Sequence, residues 1–146
     1  MIMKKNYKQP LLGVMFALGI FSVSNVHSQV DLTATGGTAN ATYTTVSAAF
    51  TAVNAGTHTG TISISITGNT SEPAAPVALS ANGVGTTSFT SLVIKPTVTA
   101  IISGSPGAGN GVLNFSGSDN VTIDGSIAPS GTTRDLTIQK IGRAHV

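Results

Sequence analysis

After residue 28 the chain is interrupted so often by turn-forming residues that no regular element can be long. Glycine, proline, serine and asparagine recur every few residues, and no strand-like run between them exceeds about six residues. Charged residues make up 8 % of the chain, against about 25 % in ordinary globular proteins. This composition favours an all-β fold of short, half-buried strands over a fold with charged helical surfaces.

The clearest strand lies between Thr61 and Thr67, where Ile62, Ile64 and Ile66 alternate with polar residues. Such a period of two predicts a strand with one buried face. Six further short strands are predicted at Val77–Leu79, Leu92–Lys95, Ala100–Ser103, Val112–Phe115, Val121–Asp124 and Leu136–Gln139.

One segment after residue 28 has helical periodicity. Its apolar residues at helical spacing are Val46, Ala49, Phe50 and Val53. Thr44 or Thr45 can cap the amino terminus of this helix, and Gly56 follows it where a left-handed residue is favoured. The pattern predicts a short helix over residues 46–55.

Residues 120–125 and 135–140 share one pattern at an offset of 15, a polar residue followed by an apolar residue, Thr and Ile. Stacked directly, Val121 would meet Leu136 and Ile123 would meet Ile138, and Asp119 would face Arg134. Stacking of this kind is typical of a β-solenoid, in which each coil buries its apolar side chains against its neighbours. A β-sandwich with strands every 8–12 residues remains the alternative on pattern alone.

Residues 1–28 have the three-part layout of a secretory signal peptide. Three lysines precede an apolar run of 13 residues from Leu11 to Val23, and Val26 and Ser28 form a small-residue cleavage site. A membrane-spanning helix needs about 20 apolar residues, so a cleaved signal is predicted rather than an anchor. The protein is therefore expected to be secreted, and to meet the membrane only during export.

The charge of the remaining chain excludes one class of partner. Residues 29–140 contain three basic and five acidic residues, a net charge of −2. Nucleic-acid binding needs a basic surface, so no nucleic-acid partner is predicted. The chain has no cysteine, which excludes disulfides, thiolate metal sites and a cysteine nucleophile.

Five segments in order carry a resemblance, namely residues 43–72, 92–96, 100–104, 119–125 and 134–139. Together they resemble the amino-terminal region of large Bacteroidetes surface proteins. The resemblance implies a right-handed parallel β-helix, often with a carboxy-terminal type nine secretion sorting domain, whose open end is capped by the helix at 46–55. It implies an exported structural or adhesin-type module, with extracellular glycans or other surface proteins as partners. The alternative is the amino-terminal cap of a polysaccharide-degrading β-helix enzyme whose catalytic coils lie elsewhere.

The last six residues, 141–146, have a different expected origin. The DNA string ATCGGAAGAGCACACGTC, followed by a stop codon, encodes Ile-Gly-Arg-Ala-His-Val and lies within a widely used sequencing adapter. Adapter read-through is therefore expected for these residues, with residues 29–140 as an incomplete β-helix region.

The sequence predicts no catalytic residue, metal site or cofactor, and hence no enzyme activity. Asp119 and Asp124 are the closest pair of acids, and Asp135 could join them through stacking, but turn formation explains them better than acid–base catalysis or metal binding. His58 is predicted to be a loop residue without a second histidine as its partner. Residues 104–111 lack the ending of a phosphate-binding loop and are expected to form a turn. Phe50 and Phe115 are expected in the core.

The signal-peptide interpretation predicts that the exported chain begins at or near Gln29. The reason is that the apolar run ends just before the small residues Val26 and Ser28, where a signal peptidase cuts. Intact mass and amino-terminal sequencing of exported material measure this directly. Recovery of Met1 on the exported chain would contradict the prediction.

Overall fold

The computed structural model of the protein describes residues 27–129 and 131–142. The predicted signal peptide lies outside these residues except for its last two positions, as do residues 143–146 of the tail. The structure is mostly β, with 44 % strand and 8 % helix, so the predicted all-β class is confirmed. In the described part of the chain, no helix combines the length and hydropathy that crossing a bilayer requires.

The described chain contains ten strands and one helix. In order they are β1 (Val30–Gly37), β2 (Asn40–Tyr43), α1 (Val46–Asn54), β3 (His58–Ile66), β4 (Thr70–Glu72), β5 (Ala78–Ser80), β6 (Phe89–Pro96), β7 (Ala100–Gly104), β8 (Asn114–Ser116), β9 (Val121–Ile123) and β10 (Leu136–Lys140). Each of the seven predicted strands has a counterpart among β3 and β5–β10. Strands β1, β2 and β4 were not predicted.

The strands form three sheets. The first has the order β2-β1-β3-β6-β9, the second β10-β7-β4 and the third β5-β8. Strand β1 pairs with β2 and β3 antiparallel, whereas β3 through β10 pair with one another in parallel. From β3 onward the chain visits the three sheets in turn, one strand in each, and then returns to the first. We call each such set of three strands a circuit.

Residues one circuit apart lie opposite one another. In the first sheet Ile64 is opposite Ile94, which is opposite Ile123. The same relation holds in the second sheet between Ile102 and Ile138. Because parallel neighbours in register point their side chains to the same face, each sheet presents an inward-facing row of mostly apolar residues.

The predicted direct stacking of residues 120–125 on 135–140 is wrong. Strand β9 pairs with β6 in the first sheet, and β10 pairs with β7 in the second. Ile94 and Ile102 of the preceding circuit are fully buried, so each short strand adds to an existing buried row instead of pairing with the other. Among the described residues the one ion pair joins Lys95 and Asp124, and the expected pairing of Asp119 with Arg134 is not formed.

The core lies between the three sheets and α1. Its fully buried members include Val30 and Leu32 from β1, Phe50 and Val53 from α1, and the inward residues of β3, β5, β6 and β7. The helix begins where the sequence predicts, because the Thr45 hydroxyl accepts the Ala48 amide at 3.1 Å. Gly56 follows the helix with a φ of 71°, a left-handed conformation that glycine adopts without strain.

Candidate functional site

The strand stacks have two ends, and α1 with the β1–β2 hairpin closes one of them. In the first sheet, β1 pairs along the outer edge of β3. In the third sheet, the Asn54 side chain forms hydrogen bonds to β5 of the kind that a neighbouring strand would form. Its Nδ2 donates to the Ala78 carbonyl at 2.8 Å, and its Oδ1 accepts the Ser80 amide at 3.0 Å. The Ser47 hydroxyl accepts the Val77 amide at 2.8 Å. The outer edge of β5 is therefore satisfied by side chains of the helix.

Glu72 joins the second sheet to the helix. The residue is 4 % exposed, and its two carboxylate oxygens accept the amides of Val46 at 3.0 Å and Ser47 at 2.8 Å. These amides are among those that an α-helix leaves unpaired at its amino terminus, where the helix dipole also favours a negative charge. Glu72 therefore serves as a buried cap for a helix that precedes it by about 25 residues.

His58 is not the loop residue that the sequence predicts. It is the first residue of β3 and is fully buried. Its Nδ1 lies 2.6 Å from the Thr38 carbonyl oxygen, and its Nε2 lies 2.7 Å from the Tyr43 hydroxyl. A carbonyl can only accept, so Nδ1 carries a proton and donates to Thr38. Burial raises the pKa of the Tyr43 hydroxyl, so this group stays protonated at neutral pH. This bridge holds the hairpin against β3.

Among the described residues, none forms a cap at the other end of the stacks, which we call the open end. Phe115, Ile123 and Ile138, which we call the open-end triad, are 41 %, 42 % and 45 % exposed. Each continues an inward-facing row, and the residues opposite them in the preceding circuit are Leu79, Ile94 and Ile102. Those three are fully buried. The triad is exposed because it forms the last layer of the described core.

Phe115 belongs to the core only in part. Its ring centroid lies 5.7 Å from that of Phe50 on α1, as expected for a core pair. Its other side faces solvent, which the sequence did not predict. Clustered exposed apolar residues next to unpaired strand edges are features that natural proteins usually cover.

The acids considered as catalytic candidates stabilise turns. Asp124 accepts the Ser126 amide at 3.0 Å and its hydroxyl at 2.7 Å, and lies 3.5 Å from the Lys95 amine. The backbone and side-chain hydrogen bonds from Ser126 lower the pKa of Asp124. A general acid at neutral pH needs a raised pKa, so this carboxylate suits turn formation better than proton donation.

Asp135 has a similar environment. It accepts hydrogen bonds from the Thr133 hydroxyl and from the Ile127 amide, and these, in that order, lower the pKa of its carboxyl group. Asp119 and Arg134 are exposed just before β9 and β10. Within residues 27–129 and 131–142, no three or more acidic or histidine side chains gather closely enough to hold a metal ion.

Residues 104–111 connect two sheets. Gly104 ends β7, and the segment leads to β8 rather than to a helix, as expected for a turn. This loop and Lys140 line an open cleft of about 560 Å³. The Lys140 amine donates to the Asn110 carbonyl at 3.2 Å, so the charged group of the cleft is engaged with the loop itself.

We predict that Glu72→Ala lowers the free energy of unfolding by about 2–4 kcal/mol, because two buried helix amides lose their acceptors. Glu72→Gln retains one carbonyl acceptor and is expected to lose less. Ser71→Ala, at the exposed neighbouring position, is the matched control and should change stability by less than about 0.5 kcal/mol. Urea unfolding followed by circular dichroism measures all three. Equal stability of Glu72→Ala and the control would contradict the assignment of Glu72 as a helix cap.

Comparisons with protein-family models, curated proteins and solved structures found no match.

Proposed function

We propose that residues 29–140 are the amino-terminal part of a right-handed parallel β-helix, which serves as an exported structural or adhesin-type module at the cell surface and has no catalysis of its own. One observation carries the proposal: strands β3 to β10 visit three sheets in a repeating order, and all of their pairings with one another are parallel. Crossovers between parallel strands are almost always right-handed.

The parallel pairings support a β-helix over the β-sandwich alternative. The sheets of a sandwich are antiparallel and pack face to face. In the described part of this chain, antiparallel pairing is confined to β1, β2 and the adjoining edge of β3 at the closed end. From β3 onward, each circuit buries its apolar residues against the circuits beside it, which is the packing rule of a solenoid.

The closed end supports the same proposal. A solenoid needs a terminal cap that covers its apolar core and turns a polar surface outward. Here α1 supplies buried Phe50 and Val53 to the core, while Asn54 and Glu72 satisfy backbone groups at the same end. The resemblance assigns the capping role to this helix, and these contacts fit that role.

The outer surface supports a structural or adhesive role. The outward residues of β3 include Thr61, Ser63 and Ser65, which are short and polar. The carboxylates of Asp124 and Asp135 are occupied by turn contacts. A polysaccharide-degrading enzyme would need an acid and a base directed at one groove, so the contacts of these residues favour the structural module. Extracellular glycans and other surface proteins are its proposed partners.

We predict that antibodies against residues 29–140 label intact cells of the organism that carries the gene, because the proposed module lies outside the cell. Immunofluorescence on intact and permeabilised cells makes the measurement. Antibodies against a cytoplasmic protein are the control and should label only permeabilised cells. Labelling of the module only after permeabilisation would contradict its location at the surface.

The proposed absence of catalysis can be tested by an activity assay on glycans. The purified chain and its Asp124→Ala variant are incubated with uronate and neutral glycans, with and without Ca²⁺, and the products are measured. No turnover is expected from either. Turnover by the parent chain that is lost in Asp124→Ala would overturn the structural role and favour the enzyme.

A further inference from the structure

We propose that Asn110 is a site of spontaneous deamidation, and that the reaction at this residue yields mainly isoaspartate. Water is the co-reactant and ammonia is released, so the modification takes place within the chain itself. The inference concerns the glycine-rich loop at residues 104–111 and does not depend on the proposed function.

Deamidation is easiest where glycine follows asparagine, because glycine has no Cβ to obstruct the approach of its own nitrogen. The Gly111 nitrogen loses its proton to solvent and forms a bond to Cγ of Asn110. The bond from Cγ to Nδ2 then breaks, and Nδ2 leaves with a proton as ammonia. Water opens the resulting five-membered imide at one of its two carbonyls, and the ring nitrogen takes a proton back. A carboxylate then stands in place of the amide.

Two segments of the chain have this sequence, and their immediate neighbours match. Asn82-Gly83-Val84 and Asn110-Gly111-Val112 are identical in residue type, and both asparagines are exposed. The local sequence alone therefore predicts comparable rates of deamidation. A difference between the two rates in the folded chain has to come from the structure around each asparagine.

The structure restrains Asn82. Its Oδ1 accepts the amide of Phe89 at 3.0 Å, and the Gly83 amide donates to the Thr87 carbonyl at 2.9 Å. Phe89 is 3 % exposed, so turning the Asn82 side chain toward Gly83 would leave the amide of a buried residue without its acceptor. Folded proteins rarely leave such groups unpaired because the free-energy cost is high. Asn82 is therefore held away from the reaction.

Asn110 has no comparable restraint. Its backbone amide donates to Gly107 at 3.2 Å, but the described residues form no hydrogen bond to its side-chain carboxamide. The Gly111 amide donates to the Asn114 side chain at 3.0 Å. An N–H bond lies in the plane of its peptide group, so this hydrogen bond leaves both faces of the Gly111 nitrogen accessible to Cγ. The side chain of Asn110 can therefore turn toward Gly111 without breaking a bond of its own.

The Lys140 amine favours one of the two ways in which the imide opens. Its Nζ donates to the backbone carbonyl of Asn110 at 3.2 Å, and this carbonyl is one of the two that water attacks. A cation beside a carbonyl stabilises the negative charge that develops on its oxygen. Attack at this position breaks the original peptide bond to Gly111, so the chain continues through Cγ and the product is isoaspartate. The new carboxylate then lies beside the Lys140 amine.

The test compares the two asparagines within one sample. The purified full chain is held at neutral pH, and peptides that contain each asparagine are followed by mass spectrometry with fragmentation that separates aspartate from isoaspartate. We expect Asn110 to deamidate at least about fivefold faster than Asn82. In urea the difference should disappear, because the unfolded sites share one local sequence. Asn110→Gln is the matched control: its longer side chain forms the ring far more slowly, so the acidic variant of the chain should not accumulate.

Lys140→Met tests the direction of opening, because it keeps an unbranched side chain of similar length and removes the charge. We expect the ratio of isoaspartate to aspartate at residue 110 to be at least about twofold higher in the parent chain than in Lys140→Met. Lys140→Arg keeps the charge and should retain the parent ratio.

Equal rates at the two asparagines in the folded chain, or a faster reaction at Asn82, would overturn the inference. It would also be overturned if Asn110 stayed intact in the folded chain over the time in which the chain in urea reacts. An unchanged ratio of isoaspartate to aspartate in Lys140→Met would overturn the role of the Lys140 amine in the opening of the imide.

Discussion

Parallel pairing between strands one circuit apart is the constraint on which the rest of the structure depends. A tight turn cannot join two parallel neighbours, so the chain needs a crossover, and here it passes through two other sheets before β6 pairs with β3 and β9 with β6. This return encloses one core between three sheets. It also means that an apolar residue such as Ile94 is buried only when the circuits beside it are present.

The two ends of the stacks follow from the same constraint, because a stack of strands always finishes in unpaired edges. At the closed end, polar side chains replace a missing strand: Asn54 pairs with β5, and Glu72 binds the amides of the helix that covers the core. His58 fastens the hairpin that completes the first sheet. At the other end, the described residues include no such substitutes, and the open-end triad is exposed there.

Local pattern predicted most of the elements but not their partners. The alternation of Ile62, Ile64 and Ile66 and the spacing of Val46, Phe50 and Val53 identified β3 and α1 because each periodicity reports one buried face. Strands β1 and β2 were missed although Val30, Leu32 and Ala34 alternate, since their small polar neighbours also suit a loop. Strand β4 has only three residues, too few for a periodicity to be visible.

Long-range pairing could not be predicted from one local similarity. The likeness of residues 120–125 to 135–140 correctly indicated two strands with inward Ile residues, but the strand beside each is determined by the whole circuit. For the same reason the role of Glu72 was not predicted and His58 was wrongly predicted to lie in a loop, because their partners lie 15 to 26 residues away in the sequence. Such contacts leave no signal in the residues around them.

Engineered disulfides test the parallel stack most directly, because the natural chain has no cysteine and two cysteines form a bond only when their Cα atoms lie within about 7 Å. Val93→Cys with Thr122→Cys places the pair opposite each other on β6 and β9, whereas Thr122→Cys with Thr137→Cys joins strands of different sheets. The parallel stack predicts that mild oxidation cross-links the first pair and leaves the second as thiols. Cross-linking of the second pair without the first would contradict it.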